Sequence, residues 1–237
     1  MIVSIMQPAY LPWLGHFHRV AISDIHIVLD HVEIDRNSKT KFANRNKVRT
    51  KEGWTWLTVP LKTKGNSGHL FLNKLEIDNG SPWAKKHWGT IMQNYTRAPY
   101  FASHEPFFEE IYAHDWGCLT DLTREITCYL IQVLGLETPF LFSSEMNVEG
   151  HKDALILNLC RAVGATHYLS GPLGREYLRE PLFSEAGIQV IYHDYQHPRY
   201  PQRFPGFEPN MSVVDLLFNA GAKSWEILSS GQKGIGA

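Results

Sequence analysis

The apolar residues of this chain come in short runs, and the run at residues 2–6 precedes a loop rich in prolines and aromatic residues. Its β-branched composition and its length are typical of a buried strand. Pro8 and Pro12 interrupt further sheet or helix, because proline has no backbone N–H to donate. A helix is expected at residues 17–23, and a second apolar run follows at residues 25–29. This order predicts a βαβ unit, whose first loop lies at the carboxyl edge of a parallel sheet.

The same alternation returns in the second half of the chain. Residues 152–163 carry apolar side chains at helical spacing, and residues 167–170 and 188–192 are short apolar runs typical of strands. Another short strand is expected at residues 140–142. The pattern therefore predicts an α/β fold, with a mainly parallel Rossmann-like sheet flanked by helices.

The middle of the chain departs from this alternation. Residues 54–60 alternate aromatic and β-branched side chains, and residues 70–77 carry a second strand-like pattern that ends in a turn. Two strands joined by a polar loop predict a small antiparallel excursion around residues 50–80.

Three helical patterns follow the excursion and predict a helical subdomain at residues 81–135 within a single domain of residues 1–237. A glycine-rich tail at residues 230–237 is expected to be flexible. The three helices are expected at residues 82–95 with Ser81 as N-cap, from Glu105 onward, and at residues 120–135 with Gly135 as terminator.

Composition narrows the class of protein. Hydrophobic residues make up 43% and charged residues 20%, values typical of a soluble globular protein. The formal net charge of -1 argues against a nucleic-acid partner held by bulk charge. The 3 cysteines have neither zinc-finger nor disulfide-framework spacing, and no apolar run approaches the roughly 18 residues that span a bilayer. The start of the chain lacks the basic region of a signal sequence, so a cytoplasmic protein without a membrane span is expected.

A basic stretch follows the N-terminal βαβ unit and has two interpretations. Charge runs commonly form solvated loops. Arginine and asparagine also offer fixed donors for phosphate oxygens, and this stretch follows the suspected ligand loop directly. Its basic residues are Arg36, Lys39, Lys41, Arg45, Lys47, Arg49 and Lys51.

Two glycine-bearing corners are the strongest candidates for a ligand site. The first contains Gly15, just before the predicted helix, and the second contains Gly171 after the strand at residues 167–170. In a parallel sheet both corners face the same edge, and helix N-termini there attract anions. The sequence therefore predicts that Gly15 and Gly171 lie over one cavity that binds a negatively charged ligand. Alternatively, the second corner is a tight turn whose glycines serve geometry alone.

The third candidate region lies near the C-terminus. Ser212 or Asn210 is expected to cap the last helix, expected at residues 211–219, and Asp215 lies in its first turn, where the helix dipole favours a carboxylate. An acid/base role for Asp215 is the alternative. The sequence contains no Gly-x-Ser-x-Gly elbow, P-loop or His-Glu-x-x-His motif, so the usual signatures of hydrolases, P-loop kinases and zinc proteases are missing.

With these residues in view, the chain resembles the WbqC-like family over nearly its whole length. The matching segments are residues 7–15, Asp30, Asn44 with Arg45, 56–60, 168–172, 200–202 and 209–215. The resemblance implies a bacterial protein of surface polysaccharide (lipopolysaccharide O-antigen) biosynthesis. It implies a transferase that attaches an acyl or aminoacyl group to the amine of a nucleotide-linked sugar.

Residue roles follow from that expectation. His16 or His18 is the expected base, because imidazole titrates near neutral pH. If the acyl or amino-acid donor is activated within the same protein, ATP and Mg²⁺ are needed, with Asp30 as a metal or ribose ligand. The residues expected to bind substrate are Gln7, Tyr10, Trp13, Gly15, Asn44, Arg45, Ser170, Gly171, Arg175 and Tyr200.

Two other classes stay open. The chain is alternatively a non-catalytic protein of the same pathway that binds nucleotide-linked sugar or carbohydrate through aromatic rings such as Trp13, Trp54 and Trp56. A structural interaction protein is the third class, and neither sugar nor nucleotide would then change its melting temperature.

Overall fold

Five parallel strands form the main sheet of the computed structural model, which describes residues 1–34, 42–63 and 70–231. Their order is β5-β2-β1-β6-β7, so the first strand lies at the centre and the chain moves outward in both directions from it. The strands of the described chain are β1 Ile2–Met6, β2 Ile25–Val28, β3 Arg45–Thr50, β4 Gly53–Thr58, β5 Phe140–Phe142, β6 His167–Ser170 and β7 Gln189–Tyr192.

The strand order places a topological switch point between β1 and β6. On one side of this boundary the chain runs to β2 and β5, and on the other it runs to β7. The register pairs Ile5 with Ile27 and Val3 with Tyr168, and these side chains are buried. The loops that leave β1 and β6 therefore diverge to opposite faces and open a crevice at the carboxyl edge. The predicted α/β fold with a Rossmann-like parallel sheet is confirmed.

Helices cover both faces of this sheet and supply two clusters of buried apolar side chains. The α-helices are α1 Leu14–Ala21, α2 Trp83–Tyr95, α3 Phe101–Ala113, α4 Leu119–Val133, α5 Lys152–Ala162, α6 Glu180–Ser184, α7 Val213–Ala220 and α8 Ser224–Ser229. Short 3₁₀ helices occur at Leu72–Lys74, Ser143–Glu145, Pro172–Glu176 and Gly221–Lys223. Within the described residues no helix is both long and apolar enough to cross a membrane.

The antiparallel excursion exists, but its strands differ from the prediction. β4 confirms the strand expected at residues 54–60, and its partner is β3, which precedes it. The basic stretch from Arg45 onward is therefore a strand rather than a loop. Its inward positions are occupied by Val48 and by Asn46, whose amide donates to the Leu11 carbonyl at 2.6 Å. A polar side chain on the buried face concealed the alternation. Arg36, Lys39 and Lys41 lie outside the described residues.

The prediction of a strand at residues 70–77 is wrong. Residues 72–74 form a 3₁₀ helix, and isolated bridges at Phe71 and Ile77 flank it. Its apolar residues Leu72, Leu75 and Ile77 are buried in the larger cluster. The alternation of apolar residues thus reflected burial of an irregular segment rather than a paired strand.

Helix ends follow local chemistry in part. α4 ends as expected, and Gly135 adopts φ 68° just beyond it. Ser212 caps α7 by accepting from the Val214 amide at 3.4 Å, which confirms one of the two predicted caps. Ser81 does not cap α2, because Pro82 occupies the N-cap position. α3 begins at Phe101 rather than Glu105, with Pro106 inside the helix. Residues 232–237 of the predicted flexible tail lie outside the described chain.

Candidate functional site

A cavity of about 570 Å³ lies over the switch point. Its walls include Gln7, Trp13 and Gly15 from the corner after β1, and Gly171 with Gly174 from the corner after β6. The two glycine-bearing corners thus share one cavity, as the sequence predicted. Its volume is in the range of pockets that enclose small organic ligands.

The glycines of both corners are required by close contacts. A Cβ on Gly15 would lie 2.9 Å from the Tyr195 ring, and a Cβ on Gly171 would lie 2.9 Å from Nη1 of Arg19. A Cβ on Gly174 would overlap the Ser170 hydroxyl. These contacts support the geometric interpretation of the corners, and the shared cavity is compatible with the ligand interpretation.

Arg19 is the charged group of the cavity wall. Its side chain is 9% exposed and lines the cavity from α1. Its Nε has no hydrogen-bond partner, and no hydrogen bond or ion pair joins its guanidinium to any described residue. Burial lowers the pKa of Arg19, while Tyr168 and Tyr177 act in the opposite direction. An arginine stays charged over the physiological range, so within the part of the chain that the structure describes this positive charge has no opposite charge paired with it.

A histidine pair adjoins the arginine. His193 follows β7 and lines the cavity, and its Nε2 lies 2.8 Å from Nδ1 of His18 on α1. Burial is the main cause that lowers the pKa of His193 to about 3, and the nearby Arg19 and His18 contribute to that shift. Burial also lowers the pKa of His18. Both imidazoles are therefore neutral at pH 7, and one proton is shared along the line between them.

His16 faces another part of the molecule. It lines a small void of about 20 Å³ together with Gln7 and His26, and neither of its ring nitrogens has a hydrogen-bond partner. Burial lowers its pKa well below the usual value, and His26 and Arg19 contribute. Of the two histidines expected as base, His18 therefore touches a cavity residue and His16 lies in the smaller void.

Asp30 joins two strands rather than lining the cavity. Its carboxylate accepts from the Ser143 hydroxyl at 3.0 Å and from the amide and hydroxyl of Ser144 at 2.9 and 2.6 Å. These bonds fix the end of β2 to the segment after β5. Within the described residues no group of three His, Cys, Asp or Glu side chains is arranged to hold a metal ion.

The two tyrosines expected to bind substrate are core residues. Tyr10 is 0% exposed, and its hydroxyl lies 2.9 Å from His87 Nδ1 and 2.5 Å from the Tyr112 hydroxyl. Tyr200 is buried and donates to Asp215 at 2.9 Å. Neither side chain lines the cavity.

The remaining predicted binding residues also have other contacts. The Asn44 amide donates to the Val59 carbonyl at 2.8 Å, and the Arg45 guanidinium lies 4.3 Å from the Trp56 ring centre. The Arg175 guanidinium stacks on Tyr192 at 4.1 Å. Ser170, which is 0% exposed, supports the corner from beneath. Of the predicted site residues, the structure brings Gln7, Trp13, Gly15 and Gly171 together at the cavity.

Sequence reasoning missed Arg19, His193 and Tyr195. Arg19 follows Gly15 by four residues, and both lie on one face of α1, which begins at Leu14 rather than at the predicted residue 17. His193 directly follows a predicted strand and belongs to the same carboxyl edge.

The fold and the cavity define a class: a Rossmann-like α/β protein with a crevice at its topological switch point. The chain belongs to the WbqC-like protein family, whose model matches residues 7–227. It is 36% identical over 228 residues to a protein of Mycobacterium tuberculosis named Uncharacterized protein Rv1507c, covering 95% of this chain and 96% of that one. No solved structure matches the chain significantly.

Proposed function

We propose that the protein is a transferase that attaches an acyl or aminoacyl group to the amine of a nucleotide-linked sugar in bacterial surface polysaccharide biosynthesis. The cavity over the switch point carries this proposal, because it combines a volume suited to a small ligand with an uncompensated arginine. A nucleotide-linked sugar has the negative charge that such a cavity attracts. Family membership supports the pathway.

His193 takes the role that the sequence gave to His16 or His18. In the reaction the amine nitrogen forms a bond to the donor's carbonyl carbon, and the bond from that carbon to its leaving group breaks. The proton lost by the amine passes to Nδ1 of His193, whose Nε2 is engaged by His18. The leaving group then receives that proton. A neutral imidazole has the free lone pair that this step needs.

Aromatic rings at the rim support the second candidate, a non-catalytic protein that binds nucleotide-linked sugar. The Trp13 and Phe42 ring centres lie 4.7 Å apart, and both residues line the cavity beside Tyr195. Flat apolar faces of this kind stack on sugar and base rings.

Product analysis separates the two functions. The protein would be incubated with nucleotide-linked amino sugars and either acyl thioesters or amino acids with ATP and Mg²⁺, and mass spectrometry would detect a new amide. We expect His193→Ala to lower the rate at least about 100-fold, the scale of a lost general base. The matched control is His151→Ala, an exposed histidine before α5. Saturable binding without any amide product would replace the transferase by the binding protein.

A further inference from the structure

We infer that Arg19, seated against the Gly171 corner beside His193, is the floor of a phosphate-binding site inside the cavity. The inference rests on the proposed function for the identity of the substrate and assigns the place of its phosphate groups. Neither of the two arginines that the sequence analysis expected to bind substrate, Arg45 and Arg175, lines this cavity.

The first argument is charge. Among the described residues, the titratable groups that interact electrostatically with Arg19 are His16, His26, His193, Tyr168 and Tyr177. None of these five groups carries a negative charge at neutral pH. A buried charge is costly unless an opposite charge accompanies it. An arginine kept in such surroundings gains most from an anion that enters the cavity.

The second argument is geometry. Gly171 lacks a side chain at the point where a Cβ would press on the Arg19 guanidinium, so that group lies against the backbone at the start of the second corner. The planar guanidinium fork matches two oxygens of one phosphate. The site lies at the carboxyl edge between β1 and β6, where the fold opens a crevice.

The third argument comes from neighbouring neutral groups. Tyr177 lines the same cavity, and its hydroxyl can donate a hydrogen bond to an oxygen that the arginine leaves free. A carboxylate would offer one charge and two oxygens, which uses fewer of these groups.

Titration calorimetry and thermal melts of the full chain with inorganic phosphate and uridine diphosphate test the site. We expect saturable binding of both and an increase in melting temperature. Arg19→Met should weaken both affinities at least about tenfold, because it keeps the length of the side chain and removes its charge. The matched control, Arg161→Met at an exposed position of α5, should stay within about twofold of the wild type.

Two further results decide the assignment. Without ligand, Arg19→Met should melt at or above the wild-type temperature, because it removes an uncompensated buried charge. Gly171→Ala keeps Arg19 but pushes its guanidinium aside, and it should weaken phosphate binding severalfold. Phosphate affinity that is unchanged in both variants would overturn the site. Acetate that binds Arg19 as tightly as phosphate, at equal ionic strength, would overturn its assignment to phosphate.

This test separates the site from the proposed reaction. Arginine-dependent phosphate binding with no amide product leaves the site standing and removes the transferase. Amide formation by Arg19→Met with an unchanged KM for the nucleotide-linked sugar removes the site and leaves the transferase standing.

Discussion

Asp215 is buried in the core and accepts three hydrogen bonds. Tyr95 donates to one carboxylate oxygen at 2.8 Å, and Tyr200 and Gln202 donate to the other at 2.9 and 2.8 Å. Burial raises the pKa of Asp215, although these three donors act in the opposite direction. Its contacts join α2, α7 and the loop before α7, so its role is structural, and the alternative of an acid/base residue loses its motive.

Asp215→Ala is expected to lower the free energy of unfolding by about 3 kcal/mol or more, because it leaves two buried tyrosine hydroxyls without an acceptor. Urea denaturation measures the change. Asp121→Ala, an exposed residue of the first turn of α4, should change stability by less than about 1 kcal/mol and serves as control. Equal losses in the two variants would contradict the importance of the buried network.

At the scale of elements, α1 directs side chains to three different places in the molecule. Gly15 and Arg19 face the large cavity, His16 faces the small void, and His18 reaches His193. Four of these residues, Gly15, His16, His18 and Arg19, belong to α1, a helix of 8 residues. The short helix therefore positions both the charge and the imidazole pair.

The corner after β6 depends on the absence of one side chain. Gly174→Ala would overlap Ser170 Oγ and force the 3₁₀ helix away from the sheet, so we expect a loss of about 1–3 kcal/mol in stability. Cavity ligands should also bind more weakly, because this corner forms one wall. Gly89→Ala is the matched control: Gly89 is exposed inside α2 with open space around it, and it should gain about 0.5–1 kcal/mol. Chemical denaturation of both variants checks the two signs, and a stabilising Gly174→Ala would refute the packing argument.

At the scale of the whole molecule, buried neutral histidines make stability depend on pH. Burial lowers the pKa of His26 and of His193 to about 3 and that of His87 to about 4. In the unfolded chain a histidine titrates near 6.5, so between these values the unfolded state binds more protons. The contribution of these neutral histidines to the free energy of unfolding is therefore fully present above pH 6.5. It is lost progressively as the pH falls from 6.5 toward the folded pKa values of about 4 and about 3.

His26→Asn tests this linkage. His26 is 1% exposed and its Nδ1 lies 2.9 Å from the Ser4 hydroxyl. Removing one titrating group should reduce the slope of unfolding free energy against pH, between pH 6 and 4.5, by roughly 1.4 kcal/mol per pH unit. Urea unfolding at a series of pH values measures that slope. An unchanged slope would show that His26 titrates normally in the folded protein.

The sequence predicted most strands of the main sheet correctly, but it did not predict β3 or the positions of two tyrosines. Short runs rich in apolar residues identified β1, β2, β5 and β6, because strands of a parallel sheet that is covered on both faces carry mostly apolar side chains. The strand β3 was not predicted because two of its buried residues, Asn46 and Arg49, are polar. Their side chains donate hydrogen bonds to carbonyls that are distant in sequence, and no local pattern of residues reveals such contacts. Tyr10 and Tyr200 were misplaced for a related reason: a tyrosine in a loop motif looks the same whether its hydroxyl meets a ligand or a core partner.

The sequence by itself determined the α/β class, the parallel sheet and the two glycine-bearing corners, because these follow from periodicity and from backbone freedom within a few residues. Tertiary structure decided which charged and titratable groups meet there. Arg19 and His193 are 174 positions apart in order of numbering, and only the pairing of β1 with β6 and of β6 with β7 brings both to one cavity. The absence of a carboxylate partner for Arg19 among the described residues is likewise a property of the packed molecule, since charge compensation depends on distances in space.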